Sequence, residues 1–151
     1  MAPRVLVSDE LSETAVQIFR DRGVEVDYMP KLGKDKEKLA ELIGQYDGLA
    51  IRSATKVTAK LLEKATNLKV VGRAGIGVDN VDLAAATQRG IVVMNTPFGN
   101  AITTAEHAIA MMFALARDIP AADRSTQAGK WEKSRFMGVE VTGKTLGLIG
   151  C

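Results

Sequence analysis

The stretch Leu68-Lys-Val-Val-Gly-Arg-Ala-Gly-Ile-Gly-Val-Asp-Asn-Val-Asp-Leu-Ala-Ala-Ala-Thr-Gln-Arg-Gly-Ile-Val-Val-Met94 holds one complete unit of the fold. An apolar run at 68–71 gives way to a glycine-rich turn. A helical pattern follows at 81–88, Gly90 stops it, and a second β run occupies 91–94. Strand, helix and strand in so short a span require a crossover, so the two strands run parallel. Toward the amino terminus the same alternation recurs. Strands are predicted at 5–7, 24–29 (ended by Pro30) and 48–52. Helices are predicted at 12–22 with Ala15, Ile18 and Phe19 on one face and Gly23 as stop, at 35–46 with Leu39, Leu42 and Ile43 inward, and at 58–66 with Leu61, Leu62 and Ala65 inward. Five β runs separated by helices predict an α/β fold, a doubly wound parallel sheet of flavodoxin-like type. In such sheets ligands bind beyond the carboxyl ends of the strands. Those ends carry Ser8-Asp9, Arg52-Ser53, Arg73-Ala-Gly-Ile-Gly77 and Asn95-Thr-Pro97.

Downstream the pattern changes. Glycine and proline around Asn95–Asn100 mark a hinge. Residues 100–118 read as one long helix, with Thr103 and Glu106 as a capping box. No residue between Glu106 and Arg117 carries a fixed charge, which predicts a helix buried on several sides, between lobes or against a second subunit. A polar stretch, 117–138, follows with Trp131 in its middle, and within it Lys130-Trp-Glu-Lys-Ser-Arg135 reads as an exposed arm or as one reaching a neighbouring subunit. Thr145-Leu-Gly-Leu-Ile-Gly150 reads as a buried strand that opens a nucleotide-binding βαβ unit. Such a unit needs roughly 30 residues, so the pattern predicts a truncated piece of a longer chain.

The 151 residues are 46% hydrophobic, enough for one core and part of a second. Lys and Arg number 20 against 18 Asp and Glu, and no basic block argues for a nucleic-acid partner. One cysteine, Cys151, allows no internal disulfide and fits a reducing compartment. The start lacks the basic-then-apolar pattern of a secretory leader. The longest apolar run, 108–116, is far below the roughly 20 residues a membrane span takes. The expectation is a cytoplasmic protein without a membrane partner.

The strand ends carry the candidate chemistry. Gly75-Ile-Gly77-Val-Asp-Asn80 has Asn80 where a dinucleotide fingerprint needs its third glycine, so it matches that motif poorly. It is either a tight turn or a place where backbone amides meet a ligand carboxylate, with Arg73 beside them. Arg52 can grip a carboxylate or phosphate through two parallel hydrogen bonds, or it is a solvated loop residue. Arg73 and Lys56 at the same edge favour an anion site. His107, the single histidine, lies in the apolar helix, so it reads as packed or hydrogen-bonded rather than catalytic. Glu106 reads as a helix cap. No metal-ligand cluster and no serine or cysteine nucleophile signature is present.

Several segments together resemble the D-3-phosphoglycerate dehydrogenases of the D-isomer-specific 2-hydroxyacid dehydrogenase family. They are Arg52-Ser-Ala-Thr-Lys-Val-Thr58, Val70-Val-Gly-Arg-Ala-Gly-Ile-Gly-Val-Asp-Asn-Val-Asp82, Met94-Asn-Thr-Pro-Phe-Gly-Asn100, Lys130-Trp-Glu-Lys-Ser-Arg-Phe-Met-Gly138 and Gly143-Lys-Thr-Leu-Gly-Leu-Ile-Gly150. The resemblance implies oxidation of 3-phospho-D-glycerate to 3-phosphohydroxypyruvate with NAD, in serine biosynthesis. It implies that residues 1–98 are the first part of a split substrate-binding domain. Residues 99–151 are then a linking helix, an arm and the first strand of a Rossmann NAD-binding domain. By resemblance Arg52, Ser53, Arg73, Ala74 and Gly75 bind substrate, Ile76 lies near the nicotinamide, and Gly150 is the first glycine of the cofactor loop. Lys133 and Arg135 lie in an arm that reaches the partner subunit in a homo-oligomer, a dimer or tetramer. The family's hydride transfer uses a His–Glu pair and an Arg that follow the first cofactor strand. No catalytic residue is then expected in these 151 residues, and the chain alone is expected to be inactive and to hold NAD weakly. Three other functions remain: a glyoxylate or hydroxypyruvate reductase, an NAD-sensing corepressor of the same fold (which the 130–138 segment argues against), or a freestanding small-molecule-binding lobe.

Overall fold

The computed structural model describes residues 2–150; Met1 and Cys151, with the single-cysteine reading, lie outside the described residues. The chain divides into two units, Met1–Gly99 and Asn100–Cys151.

The first unit is the alternation laid down by the sequence. Strands β1 (Arg4–Val7), β2 (Glu25–Tyr28), β3 (Gly48–Ile51), β4 (Val70–Arg73) and β5 (Val92–Met94) form one parallel sheet in the order β2-β1-β3-β4-β5. Helices α1 (Glu13–Asp21), α2 (Lys36–Leu42), α3 (Ala59–Lys64) and α4 (Leu83–Gln88) fill the crossovers, with a 3-10 turn at Ile43–Gln45 extending α2. Each helix starts on a side chain that accepts from an amide three residues on: Ser12 from Ala15, Asp35 from Lys38, Thr58 from Leu61 and Asp82 from Ala85. Such a cap contributes about 1 kcal/mol and fixes where the chain turns from strand to helix. The short apolar runs bury completely at the centre: all four residues of β3 are buried, and Leu6, Leu39, Ile43, Leu49, Ile51, Leu62 and Val71 form the heart of the core. Right-handed crossovers put α1 on one face of the sheet and α2, α3 and α4 on the other. The order therefore reverses between β1 and β3, and their chain continuations part there. On α1 the inward residue is Val16, flanked by Ala15 and Phe19, while Ile18 is exposed, contrary to expectation. Two residues turn a helix by about 200°, so Ile18 cannot share the face of Val16.

The second unit departs further from the sequence pattern. Helix α5 (Ala101–Ala116) begins earlier than a Thr103–Glu106 capping box requires, so both residues lie inside it. None of its residues is buried, although its run is apolar. Periodicity shows that a face is apolar but not where its cover comes from. Within the polar stretch a helix α6 (Ile119–Gln127) forms with Pro120 in its first turn, where a missing N–H costs nothing. Residues 145–150 are exposed and form no strand among the described residues. A lone β run without a neighbour to satisfy its amides has nothing to hold it extended. No described helix is long and apolar enough to cross a membrane.

Candidate active-site edge

The reversal between β1 and β3 opens the carboxyl edge of the sheet, and the loops leaving β1, β3, β4 and β5 are joined there by side chains. Asp9, directly after β1, is buried. Its Oδ2 accepts from the Arg52 amide at 2.7 Å and the Thr55 amide at 3.1 Å, and its Oδ1 accepts from Thr55 Oγ1 at 2.6 Å. Because the single Thr55 hydroxyl proton goes to the carboxylate, the Ser8 hydroxyl 2.8 Å away is the donor to Thr55. The Asn80 side-chain amide donates to the carbonyls of Arg52 and Thr55, each at 2.7 Å. Val57 in turn donates to the Asn80 carbonyl at 2.8 Å. Asn95 donates to the Ile76 carbonyl at 2.6 Å, and the Thr96 amide to the Gly75 carbonyl at 3.0 Å. The four loops thus form one hydrogen-bonded rim. The asparagine that spoils the dinucleotide fingerprint is the residue that ties the β3 loop to the β4 loop.

Arg52 and the β4 loop are brought together, since Ile51 and Arg73 are register partners. The Arg52 side chain is exposed, makes no ion pair among the described residues, and touches the Glu10 carbonyl only at 3.4 Å. Ser53 beside it is exposed. Arg73 is placed otherwise. Its side chain is only 12% exposed and its Nη1 donates to Asp79 Oδ1 at 2.7 Å. Its Nε and the Asn80 Oδ1 are buried without a hydrogen-bond partner among the described residues. The hydrogen bond from Arg73, helped by the Asp79 backbone and the guanidinium charge, holds the Asp79 carboxyl below the usual range. A β-carbon on Gly77 would sit 3.2 Å from Arg73 Nη1 and 2.9 Å from Asp79 Oδ1, so glycine lets the turn close over this pair.

The amides of Ala74 and Gly75 are both engaged. Ala74 N–H extends the ladder to the Ile51 carbonyl at 2.9 Å, and Gly75 N–H closes a tight turn on the Arg73 carbonyl at 3.0 Å. The amides of Ile76 and Gly77, the next two along the chain, find no acceptor among the described residues, and neither do those of Val78 and Asn80 in the same loop. The Ile76 side chain is 42% exposed. Lys56 does not join Arg52, because it lines a separate cleft between α2 and α3. Sequence reasoning therefore missed Asp9, Thr55, Asn80 and Asp79. The signal for Asp9 was its position at a strand end; Thr55, Asn80 and Asp79 had none, since only the folded turns bring them together.

In the second unit Gly150 has a φ of +84° and open space around it. His107 and Glu106 are exposed on α5, so the expected packing of the histidine is not found. Lys133 lies in the 3-10 turn Lys133–Phe136. Arg135 folds back on Glu132 at 3.3 Å and over the Phe136 ring. Among the described residues no three His, Cys, Asp or Glu side chains converge as metal ligands would.

Residues 5–145 match the D-isomer specific 2-hydroxyacid dehydrogenase, catalytic domain. The chain is 54% identical over 147 residues to a D-3-phosphoglycerate dehydrogenase of Archaeoglobus fulgidus and 50% identical to that of Homo sapiens. It aligns over 97% of its own length in both cases but spans only 28% and 27% of those relatives. Among solved structures, a protein from Thermus thermophilus superposes with a TM-score of 0.83 at 31% identity, over 93% of this chain and 46% of that one. An NAD+-bound 3-phosphoglycerate dehydrogenase of Entamoeba histolytica superposes with a TM-score of 0.69 at 35% identity, over 78% of this chain and 40% of that one. With its parallel sheet and its rim of joined loops, the chain belongs to the D-isomer specific 2-hydroxyacid dehydrogenase family.

Proposed function

We propose that this chain supplies the acid-gripping part of an NAD-dependent oxidoreductase that oxidises 3-phospho-D-glycerate to 3-phosphohydroxypyruvate, a step of serine biosynthesis in the cytoplasm. The observation that carries the proposal is an exposed, unpaired Arg52 fixed at the strand-order reversal by Asp9, on the same sheet edge as a β4 loop whose Ile76 and Gly77 amides are unengaged. A fork-shaped cation and unengaged N–H groups on one sheet edge suit an oxyanion of a carboxylate or phosphate. The names of the curated relatives favour the phosphorylated acid.

Within this proposal Arg52 and Ser53 hold the acid, and Arg73 shapes the 74–77 turn from beneath rather than reaching out. Residues 1–98 are the substrate-binding part; residues 99–151 carry the linking helix, the arm and the entry to the cofactor domain. Bound NAD supplies the hydride acceptor. The exposed Ile76 offers an apolar contact for the nicotinamide, and Gly150 stands as the first glycine of the cofactor loop. The 130–138 arm, with Lys133 and Arg135, serves subunit contact in a homo-oligomer.

The test is turnover by the complete polypeptide with NAD and 3-phospho-D-glycerate, followed by NADH formation, against unphosphorylated D-glycerate and, in the reverse direction, glyoxylate. Preference for the phosphorylated acid supports the proposal; preference for glyoxylate makes the protein a reductase instead. Arg52→Ala is expected to raise KM for the acid by about ten- to a hundredfold, with a smaller change in kcat. The 151-residue chain by itself is expected to give no turnover.

A further inference from the structure

A cleft of about 470 Å³ lies in the first unit between α2 and α3, and its lining is strongly basic. Lys36 comes from the first turn of α2, Lys56 from the loop after β3, and Lys60 and Lys64 from α3. One acid, Glu37, faces them. The local excess of three positive charges is larger than the net +2 of the whole chain. None of the four lysines forms an ion pair among the described residues. Lys60 and Lys64 stand one turn apart on the same helix face, where like charges repel and work against the helix. The floor is apolar: Leu39 and Leu61 belong to the core and are buried.

From this geometry we infer a binding site for a small molecule bearing two or more phosphate groups, separate from the acid-gripping edge. Lysine ammoniums are compact point charges on flexible stems. Four of them around one cleft can neutralise a diphosphate, where a single carboxylate would leave most of the charge unmet. The Thr58 hydroxyl also lines the cleft. Its oxygen accepts from the Leu61 amide at 3.3 Å, so its proton remains available to a phosphate oxygen. Arg52, at the start of the loop that carries Lys56, is not part of this lining.

The test titrates inorganic pyrophosphate into the protein at low ionic strength, with calorimetry for affinity and amide chemical shifts for location. Saturable binding is expected between about 10 μM and about 1 mM, with the largest shifts at residues 56–64. The double variant Lys60→Gln/Lys64→Gln is expected to weaken it by about tenfold or more. The charge-matched Lys130→Gln/Lys144→Gln should bind within about twofold of the parent. Absence of saturable binding overturns the site. So does equal weakening by both lysine pairs, which would mean nonspecific attraction, or loss of binding in Arg52→Gln alone, which would move the pyrophosphate to the other edge.

Discussion

At the scale of single residues, the edge is governed by which polar groups are already spent. Arg73, read from sequence as a second ligand cation, is paired with Asp79 in this structure. A largely buried guanidinium paired with a carboxylate that is 84% exposed is a brace for the turn. The sign of its pH dependence follows from the lowered Asp79 pKa. A depressed acid pKa stabilises the fold above the unfolded value, and that contribution is lost as pH falls through the folded value. The brace therefore persists at neutral pH and opens only on acidification below the usual aspartate range. The Arg73 Nε–H resonance is expected to shift at the pH where Asp79 protonates, below its ordinary 3.8, and to show no such step in Asp79→Asn. In the complete enzyme Asp79→Asn should raise KM for the acid by about fivefold and leave kcat within about twofold, because the Ile76 and Gly77 amides lose their placement while the reacting groups do not. An unchanged KM would show that the turn holds its shape without the brace.

At the scale of elements, the rim depends on how closely the loops approach. Gly33, between β2 and α2, is buried, and a β-carbon there would collide with Thr55 Oγ1 and Asp9 Oδ1. Both atoms are buried and bonded to each other, so neither can step aside. Gly33→Ala is expected to destabilise the protein by about 1–3 kcal/mol in urea unfolding. It should also loosen the Arg52 loop; a stability within error of the parent would mean that the loops are slack. The contrast with the sequence is instructive at this level. The strands and helices of the first unit were legible because Ser12, Asp35, Thr58 and Asp82 cap where hydrophobic periodicity begins, and Gly23 and Gly90 stop where it ends. The position of Arg52 was legible because strand ends carry sites. The engaged amides of Ala74 and Gly75 were not, because a ladder that extends by one residue and a turn that closes on itself depend on register, which no local pattern reveals. Helix α5 was legible as apolar, and its exposure was not, because burial belongs to whatever packs against a helix.

At the scale of the whole first unit, the two edges of the sheet divide the work. The carboxyl edge keeps an exposed, unpaired Arg52 and, in the β4 loop, exposed amides that no other described group engages. The amino edge is closed by charges that meet: Arg4 pairs with Asp27 at 2.7 Å and lies over the Tyr46 ring, and Tyr46 donates to the same Asp27 at 2.8 Å. Asp47 accepts from the Arg4 amide at 3.0 Å and pairs with Lys69 at 2.7 Å, joining β1 to the start of β4. Tyr46 is the buried member, and burial first, then its bond to Asp27, pushes its phenol from 10.0 up to about 12. The folded protein keeps a proton that the unfolded chain releases above pH 10, so this contribution is complete below that pH and declines as pH rises toward 12. Tyr46→Phe loses the bond to Asp27 and should be less stable than the parent by about 1 kcal/mol at neutral pH. Urea unfolding of both proteins from about pH 8 to about pH 12 should show the gap closing as the parent gives up its advantage. A gap that stays constant across that range would mean that Tyr46 ionises as easily folded as unfolded, and that the amino edge is held by Arg4, Asp27 and Asp47 without it.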